Sequence, residues 1–305
     1  MEPIIFAGTP INAAETLRAL VAAGQPIALV LTRADAPIGR KRVITPSPVA
    51  QVAEELGLPV LKANRITSTE EDLISESGAR LALVVAFGAL LKSSTIHLLE
   101  LGWFNLHYSV LPRWRGASPV QSAILAGDKT TGVTLFKIDE GLDTGDVVGV
   151  VETVIEPGEN SGRLLSRLSN LGVSLALQEL PGLLAGFAKH QPQRGEPTYA
   201  PKYGRQDAQL AAVDDPRVAL AKVLAFNPEP IVWFEFQGSQ IRVLEAASSS
   251  ASVPVGDLVL SDKKVLLGLA DAGSIELITV QPAGKNVMPA IDWFRGTKPD
   301  ERKIS

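Results

Sequence analysis

Residues 105–121 read Asn-Leu-His-Tyr-Ser-Val-Leu-Pro-Arg-Trp-Arg-Gly-Ala-Ser-Pro-Val-Gln and contain one of only 3 histidines in a chain of 305 residues. Side chains alternate along an extended strand, so Asn105, His107 and Ser109 are expected on one face and Leu106 and Tyr108 on the other. A carboxamide can donate to a developing oxyanion, and an imidazole can move a proton. A carboxylate beside the imidazole makes it a stronger base and holds its orientation. Asp143, in Gly-Leu-Asp-Thr-Gly-Asp, is the candidate for that partner, although taken alone the same residues also read as ordinary turn chemistry. Asn105, His107 and Asp143 together supply what acyl transfer to an amine requires without a covalent enzyme intermediate. His97 and His190 have no comparable neighbours and read as surface or helix residues.

These groups must be held by a folded scaffold, and the composition provides one. Hydrophobic residues make up 46% of the chain and charged residues 20%, the profile of a globular protein. The chain has no cysteine, which excludes disulfides, thiolate zinc sites and cysteine nucleophiles and fits a reducing compartment. No metal is expected. The net charge of −4 argues against broad nonspecific nucleic-acid binding, which depends on neutralising many phosphates. The opening Met-Glu-Pro-Ile-Ile-Phe-Ala-Gly lacks a basic leader and reads as a first strand. The apolar run from Leu81 to Leu91 is well below the roughly 20 residues of a membrane span. A cytoplasmic location is therefore expected.

Pro3 to Ala7 and Ile27 to Thr32 read as buried parallel strands, with a helix from about Asn12 to Ala23 between them. Ser47-Pro48 opens a second helix running to about Leu56. Strands then follow at Leu81 to Ala86, Trp103 to His107, Val133 to Ile138 and Val147 to Val154. Alternating strands and helices predict a mainly parallel α/β sheet of Rossmann-like type, with ligands beyond the carboxyl ends of its strands. Asn160 or Ser161 is expected to cap a long helix that ends or kinks at Pro181. Residues 190–206 carry a linker signature, which divides the chain into a domain of 1–189 and another of 207–305. The second contains a helix near Arg217 to Phe226. It also has five short strand-like runs within residues 231–280, which suggest a small OB-like β-barrel. Residues 207–305 hold 10 Lys/Arg against 13 Asp/Glu, so this domain is not basic.

Three further loops have two readings each. Ala7-Gly8-Thr9-Pro10 sits where a dinucleotide-binding fold would carry spaced glycines and has only one, which argues against a dehydrogenase. It is either a tight turn or part of a pocket wall. Arg40-Lys41-Arg42 is either a solvated loop or an element that touches phosphates. Arg113 and Arg115, on either side of Trp114, suit packing against the sheet or contact with a stacked base.

Residues 105–119 together with Gly-Leu-Asp-Thr-Gly-Asp at 141–146 strongly resemble the 10-formyltetrahydrofolate-dependent formyltransferases. Ile5 to Pro10, Pro46-Ser-Pro-Val49 and Gln281-Pro-Ala-Gly-Lys285 extend the resemblance over nearly the whole chain. It implies a Rossmann-like catalytic domain and an OB-like domain that helps hold tRNA. The co-substrate it implies is 10-formyltetrahydrofolate, and the acceptor the α-amino group of methionine on initiator tRNA. By the same resemblance Asn105, His107 and Asp143 are catalytic, Ser109, Val110, Leu111 and Pro112 contact folate, and Arg40, Lys41 and Arg42 sense tRNA. A nucleotide-sugar amine or a purine precursor is the alternative acceptor, and a non-catalytic RNA-binding module the alternative class. A monomer is expected, since no heptad or long apolar stripe demands assembly. The chain departs from the family pattern at Ile11-Asn12, where Asp-Phe is usual, at Tyr108, where Gly is common, and at Val110, where Leu is usual.

Overall fold

A computed structural model describes residues 1–39, 41–297 and 303–304. It divides into two compact units: Met1–Pro119 with Thr130–Val154 and Leu165–Ala200, and Val120–Lys129 with Ile155–Leu164 and Pro201–Ser305. The chain begins with β1 (Ile4–Gly8), α1 (Ile11–Ala22), β2 (Ile27–Thr32), the hairpin β3 (Ala36–Ile38) and β4 (Val43–Thr45), α2 (Pro48–Glu55) and β5 (Val60–Lys62). Next come α3 (Ser68–Glu76), β6 (Leu81–Val85), α4 (Ser93–Ile96), β7 (Gly102–His107), β8 (Arg115–Gly116) and α5 (Pro119–Leu125). β9 (Thr130–Lys137), β10 (Val147–Val154), α6 (Ser161–Leu184) and β11 (Tyr199–Ala200) follow.

Seven of these strands form one sheet in the order β10-β9-β7-β6-β1-β2-β5. The five strands from β7 to β5 are parallel, while β9 runs antiparallel to β7 and β10 antiparallel to β9. Every residue of β1 and β6 is buried, as an interior parallel strand covered on both faces requires. From β1 the chain first builds outward through β2 and β5, then returns to build β6 and β7 on the other side. That reversal leaves a crevice beyond the carboxyl ends of β1 and β6, the usual ligand position in such sheets. The mainly parallel α/β domain expected from the sequence is present, and β7 ends at its carboxyl edge with His107.

Trp103 fixes the register of β7. Its indole is fully buried with Ile5, Leu29, Leu31, Val84 and Phe87, and its Nε1–H donates to the Thr95 carbonyl at 2.8 Å. Alternation then puts Asn105 and His107 on the Trp103 face. A one-residue slip would carry the indole to the opposite face, away from the Thr95 carbonyl, and turn both polar groups with it, so the placement of the ring goes with theirs. On the opposite face Leu106 packs close to Gly172 of α6.

The helix signals are met in detail. The Ser47 hydroxyl accepts from the Ala50 N–H at 3.0 Å, with Pro48 at the first helical position. Asn160 Oδ1 accepts from the Arg163 N–H at 2.9 Å at the start of α6. α6 continues past Pro181 to Leu184 rather than ending there. Proline removes one donor but leaves its own carbonyl, which accepts from the Ala185 N–H at 3.1 Å.

The second unit contains α7 (Pro216–Ala225), β12 (Val232–Phe236), β13 (Ser239–Ser249), β14 (Leu258–Ser261), β15 (Lys264–Gly268), β16 (Ser274–Pro282), β17 (Met288–Pro289) and α8 (Ala290–Arg295). The five expected strands form an antiparallel sheet ordered β12-β13-β16-β15-β14, with β17 paired to β16. Among the described residues no pairing joins β12 to β14, so the sheet is open where a closed barrel would be continuous. Register shifts between Val243 and Ala246 interrupt the long β13, the kind of irregularity that bends a strand. Trp293 of α8 meets Phe234 and Phe236 edge-on, with ring centroids 6.0 and 5.3 Å away.

Two departures from the family pattern meet each other inside the first unit. The Tyr108 phenol accepts from Asn12 Nδ2 at 3.1 Å, and the Ser169 hydroxyl lies at 3.5 Å. All three residues are buried. A buried phenol with no partner would be costly, and Asn12 supplies the nearer of its two partners. Asn12→Ala and Tyr108→Phe are each expected to destabilise the protein by about 1–3 kcal/mol in urea unfolding. The double variant should cost less than the sum by at least about 0.5 kcal/mol, and simple additivity would show that the pair is not coupled.

Candidate active site

β7 delivers His107 buried, with only 6% of its side chain exposed. His107 Nε2 lies 2.8 Å from the Trp114 carbonyl oxygen. A carbonyl only accepts, so Nε2 carries the proton and the neutral ring keeps its lone pair on Nδ1. Phe136 of β9 meets the ring edge-on at a centroid distance of 6.3 Å. Burial pushes the His107 pKa below the ordinary imidazole value, while the Asp143 carboxylate and the Trp114 carbonyl act in the opposite sense. The resting ring is therefore neutral, with Nδ1 available as a base.

Asp143 Oδ2 stands 3.7 Å from His107 Nδ1 and accepts from the Gly116 N–H at 2.7 Å. On sequence grounds Asp143 orients the imidazole. In the structure the Trp114 carbonyl holds the ring, and the Gly116 amide holds the carboxylate. At 3.7 Å the Asp143–His107 contact is too long for a hydrogen bond in the resting state but close enough to stabilise an imidazolium. The route to this position also differs from expectation. β9 is antiparallel, so it ends with Lys137 beside Phe104, near the start of β7. The loop from Ile138 to Asp146 must then return along the sheet to bring Asp143 to His107.

Asn105 is half-buried on the same face. Asn105, His107 and Asp143 all line one cavity of about 550 Å³. Its other walls include Ala86 to Leu91 after β6, Gly116-Ala117, and the loop from Ile138 to Leu142. The lining carries the carboxylates of Asp139, Glu140 and Asp143 and no lysine or arginine. Such a field favours an amine over a phosphate.

The remaining expected site residues fall elsewhere. β7 stops at His107, so the alternation does not carry Ser109 into the cavity. The Ser109 hydroxyl instead donates to the Arg113 carbonyl at 2.6 Å. Its own carbonyl accepts from Thr134 Oγ1 at 2.7 Å, and that oxygen accepts from the Leu111 N–H at 3.1 Å. Ser109 and Leu111 are buried, Val110 and Pro112 are half-buried, and none of the four lines the cavity. Lys41 and Arg42 are exposed at the tip of the β3–β4 hairpin, while Arg40 lies outside the described residues. The Arg113 guanidinium lies 4.5 Å from the Trp114 ring centroid.

The wall at Ala86 to Leu91 was not singled out on sequence grounds. Its only signal was Phe-Gly directly after an apolar strand. The Thr9 hydroxyl donates to the Phe87 carbonyl at 2.7 Å, and Arg33 donates to the Gly88 carbonyl. The Gly-Thr-Pro turn thus supports the cavity wall without lining it.

Among proteins of known family, residues 2–180 match the model described as formyl transferase, and residues 205–298 match its C-terminal domain. The methionyl-tRNA formyltransferase of Leifsonia xyli is 43% identical over 294 residues, covering 96% of this chain and 97% of that protein. The protein of the same name from Paenarthrobacter aurescens is 42% identical and covers 99% of each chain. Among solved structures, HypX from Aquifex aeolicus in complex with tetrahydrofolic acid superposes with a TM-score of 0.66 at 17% identity, covering 98% of this chain and 48% of that one. The N-formyltransferase from Helicobacter canadensis, complexed with folinic acid and dTDP-3-aminofucose, gives 0.64 at 16% identity, covering 91% and 99%. These distant structures share the fold.

The His107 environment makes a titration prediction. Its pKa should fall below the ordinary value of about 6.5 in an NMR titration. Because the folded value is depressed, the associated stability is complete above about pH 6.5 and is lost as pH falls through the folded value. In Asp143→Asn the midpoint should drop further, since the carboxylate is the larger of the two influences that raise it. A midpoint that rises in this variant would contradict the assignment.

Proposed function

The chain belongs to the formyl transferase family, and from that premise we propose that it transfers a formyl group from 10-formyltetrahydrofolate to the α-amino group of methionine on initiator tRNA. The observation that carries this reading is the match to methionyl-tRNA formyltransferases at 42–43% identity over almost the full length. The site supports it. The cavity volume, about 550 Å³, suits a folate-sized co-substrate, and the three carboxylates in its otherwise largely apolar lining suit an amine acceptor. A nucleotide-sugar acceptor would bring phosphates toward those carboxylates. A non-catalytic RNA-binding module would have no use for a buried neutral imidazole beside a carboxylate.

In the proposed chemistry the amine nitrogen attacks the formyl carbon and the carbonyl oxygen becomes an oxyanion. The Asn105 carboxamide donates to that oxygen. His107 Nδ1 accepts a proton from the ammonium so formed, and Asp143 stabilises the resulting imidazolium across 3.7 Å. When the carbon–nitrogen bond to the folate breaks, Nδ1–H returns the proton to the leaving nitrogen. Because His107 is buried and neutral at rest, it acts as base first and as acid second.

Within the folate segment, Val110 and Pro112 are half-buried and would be the members that meet a ligand, while Ser109 and Leu111 would hold the turn. Lys41 and Arg42 would meet tRNA phosphates from a hairpin that also exposes Ile38, Val43 and Ile44. Residues 207–305 would serve as an OB-like tRNA-binding domain, for which the antiparallel sheet and bent β13 are the support. No helix of the described residues is long and apolar enough to cross a membrane. A monomer acting in the cytoplasm completes the proposal.

Purified protein should consume 10-formyltetrahydrofolate only when methionyl-tRNA is added. Consumption with an aminosugar nucleotide instead, or no consumption, would overturn the reading. Asn105→Ala should lower kcat by about 10²- to 10³-fold in that assay, the usual loss for one oxyanion donor. The paired Lys41→Ala/Arg42→Ala variant should raise KM for the tRNA and leave KM for the folate unchanged; equal increases in both would remove the hairpin from tRNA contact.

A further inference from the structure

Residues 191–200 read from sequence as part of a linker and lie between the two matched family domains. In the structure they form a strap across the active-site loops. At one end, Gln193 Nε2 donates to the carbonyls of Asp143 at 2.8 Å and Gly145 at 3.0 Å. The same amide's Oε1 accepts from Arg115 at 3.1 Å from Nε and 2.7 Å from Nη2. At the other end, Thr198 Oγ1 accepts from the Trp114 N–H at 2.9 Å. The Thr198 backbone also clasps this turn, its carbonyl accepting from Arg115 N–H at 2.8 Å and its N–H donating to the Pro112 carbonyl at 3.2 Å. β11 then pairs with β8, and the Ala200 carbonyl accepts from the Ala117 N–H at 2.9 Å.

These contacts end on the two groups that set up the His107–Asp143 pair. Trp114 supplies the carbonyl that fixes the proton on His107 Nε2. Trp114 has φ +62, a left-handed conformation that a bulky residue adopts only when its surroundings impose it. Asp143 has φ +53, in the same left-handed region, which aspartate enters more readily. Each turn is also held from outside. Thr198 tethers the first through its amide, and Gln193 tethers the second through its carbonyl. Both side chains are half-buried, and neither lines the cavity.

We propose that Gln193 and Thr198 are positioning residues of the active site: Thr198 holds Trp114 so that His107 keeps a single tautomer with Nδ1 facing Asp143, and Gln193 holds the Asp143 turn within reach of that atom. The consequence for turnover rests on the formyl-transfer reading, but the tautomer does not, so the two can fail separately.

The test uses the full chain. With only 3 histidines, the ring nitrogens of uniformly ¹⁵N-labelled protein give a tractable spectrum. Wild-type His107 should show one Nε2–H tautomer. Thr198→Val, which keeps the shape but loses the acceptor, should give mixed tautomers and lower kcat by about 10- to 100-fold, with KM for folate within about twofold. Thr198→Ser should restore both. Gln193→Glu keeps an acceptor for Arg115 but loses the donor to Asp143 and Gly145, so it should lower kcat similarly while the Nε2–H tautomer persists. A single unchanged tautomer in Thr198→Val, an equal loss in Thr198→Ser, or unaltered kcat in Gln193→Glu would overturn the proposal. If Thr198→Val fails to fold, the Gln193→Glu result decides.

Discussion

The hydrogen bond from His107 Nε2–H to the Trp114 carbonyl is the contact on which the rest of the site depends. It determines which nitrogen is basic and which way the ring faces. A catalytic imidazole held by a carboxylate would normally have its proton on the nitrogen facing that carboxylate, leaving the distal nitrogen as the base. Here the backbone takes the proton-bearing side, and the basic nitrogen and the carboxylate face each other across 3.7 Å. The carboxylate therefore acts most strongly after proton transfer, when there is a positive ring to stabilise. Such an arrangement adds little to the ground state and more to the charged state that follows, the differential on which rate depends.

Magnitudes decide how far this balance goes. Two unit charges about 4 Å apart interact by about 4 kcal/mol at an effective dielectric near 20. Removing an ion from water into a protein interior costs several kcal/mol, so the two terms are of similar size. For His107 burial prevails and the neutral form is favoured, with Asp143 acting in the opposite sense. A base whose conjugate acid is faced by a carboxylate can take up a proton and release it again within one cycle. Deeper burial without the carboxylate would make the ring too weak a base, and a direct ion pair would keep it protonated.

The sheet and the chemistry of β7 were legible in the sequence because both follow local rules. Continuous apolar runs of five or six residues mark interior parallel strands, and alternation places Asn105 beside His107 on one face. Trp103 gives that alternation its sign, since its indole N–H reaches the Thr95 carbonyl from one face only. The alternation failed at Ser109 because the strand ends at His107, and no local pattern marks where a β7–β9 pairing stops. Gln193 and Thr198 were invisible for a similar reason. Their partners lie 50 and 84 positions away, and a polar segment rich in proline and glycine has the same composition whether it dangles or pairs. The open edge between β12 and β14 belongs to the same class, because five short strands are compatible with both a closed barrel and an open sheet.

Gly116 shows why these distant contacts behave as a unit. Its N–H donates to the Asp143 carboxylate, its strand β8 pairs with β11, and its φ of +119 lies where side chains are strained. A Cβ built there would stand 2.5 Å from the Ala200 carbonyl oxygen, a backbone atom that cannot swing aside. Any side chain at 116 would therefore have to part the strap from the loop, and the same movement would withdraw the amide from Asp143. The glycine is required twice over, once for its dihedral angles and once for the close approach of Ala200. Because one residue satisfies both, the carboxylate and the strap meet at Gly116. The antiparallel β9 makes that attachment necessary: it starts the Asp143 loop at the wrong end of the sheet, and a loop that must travel back along the sheet needs an anchor where it arrives.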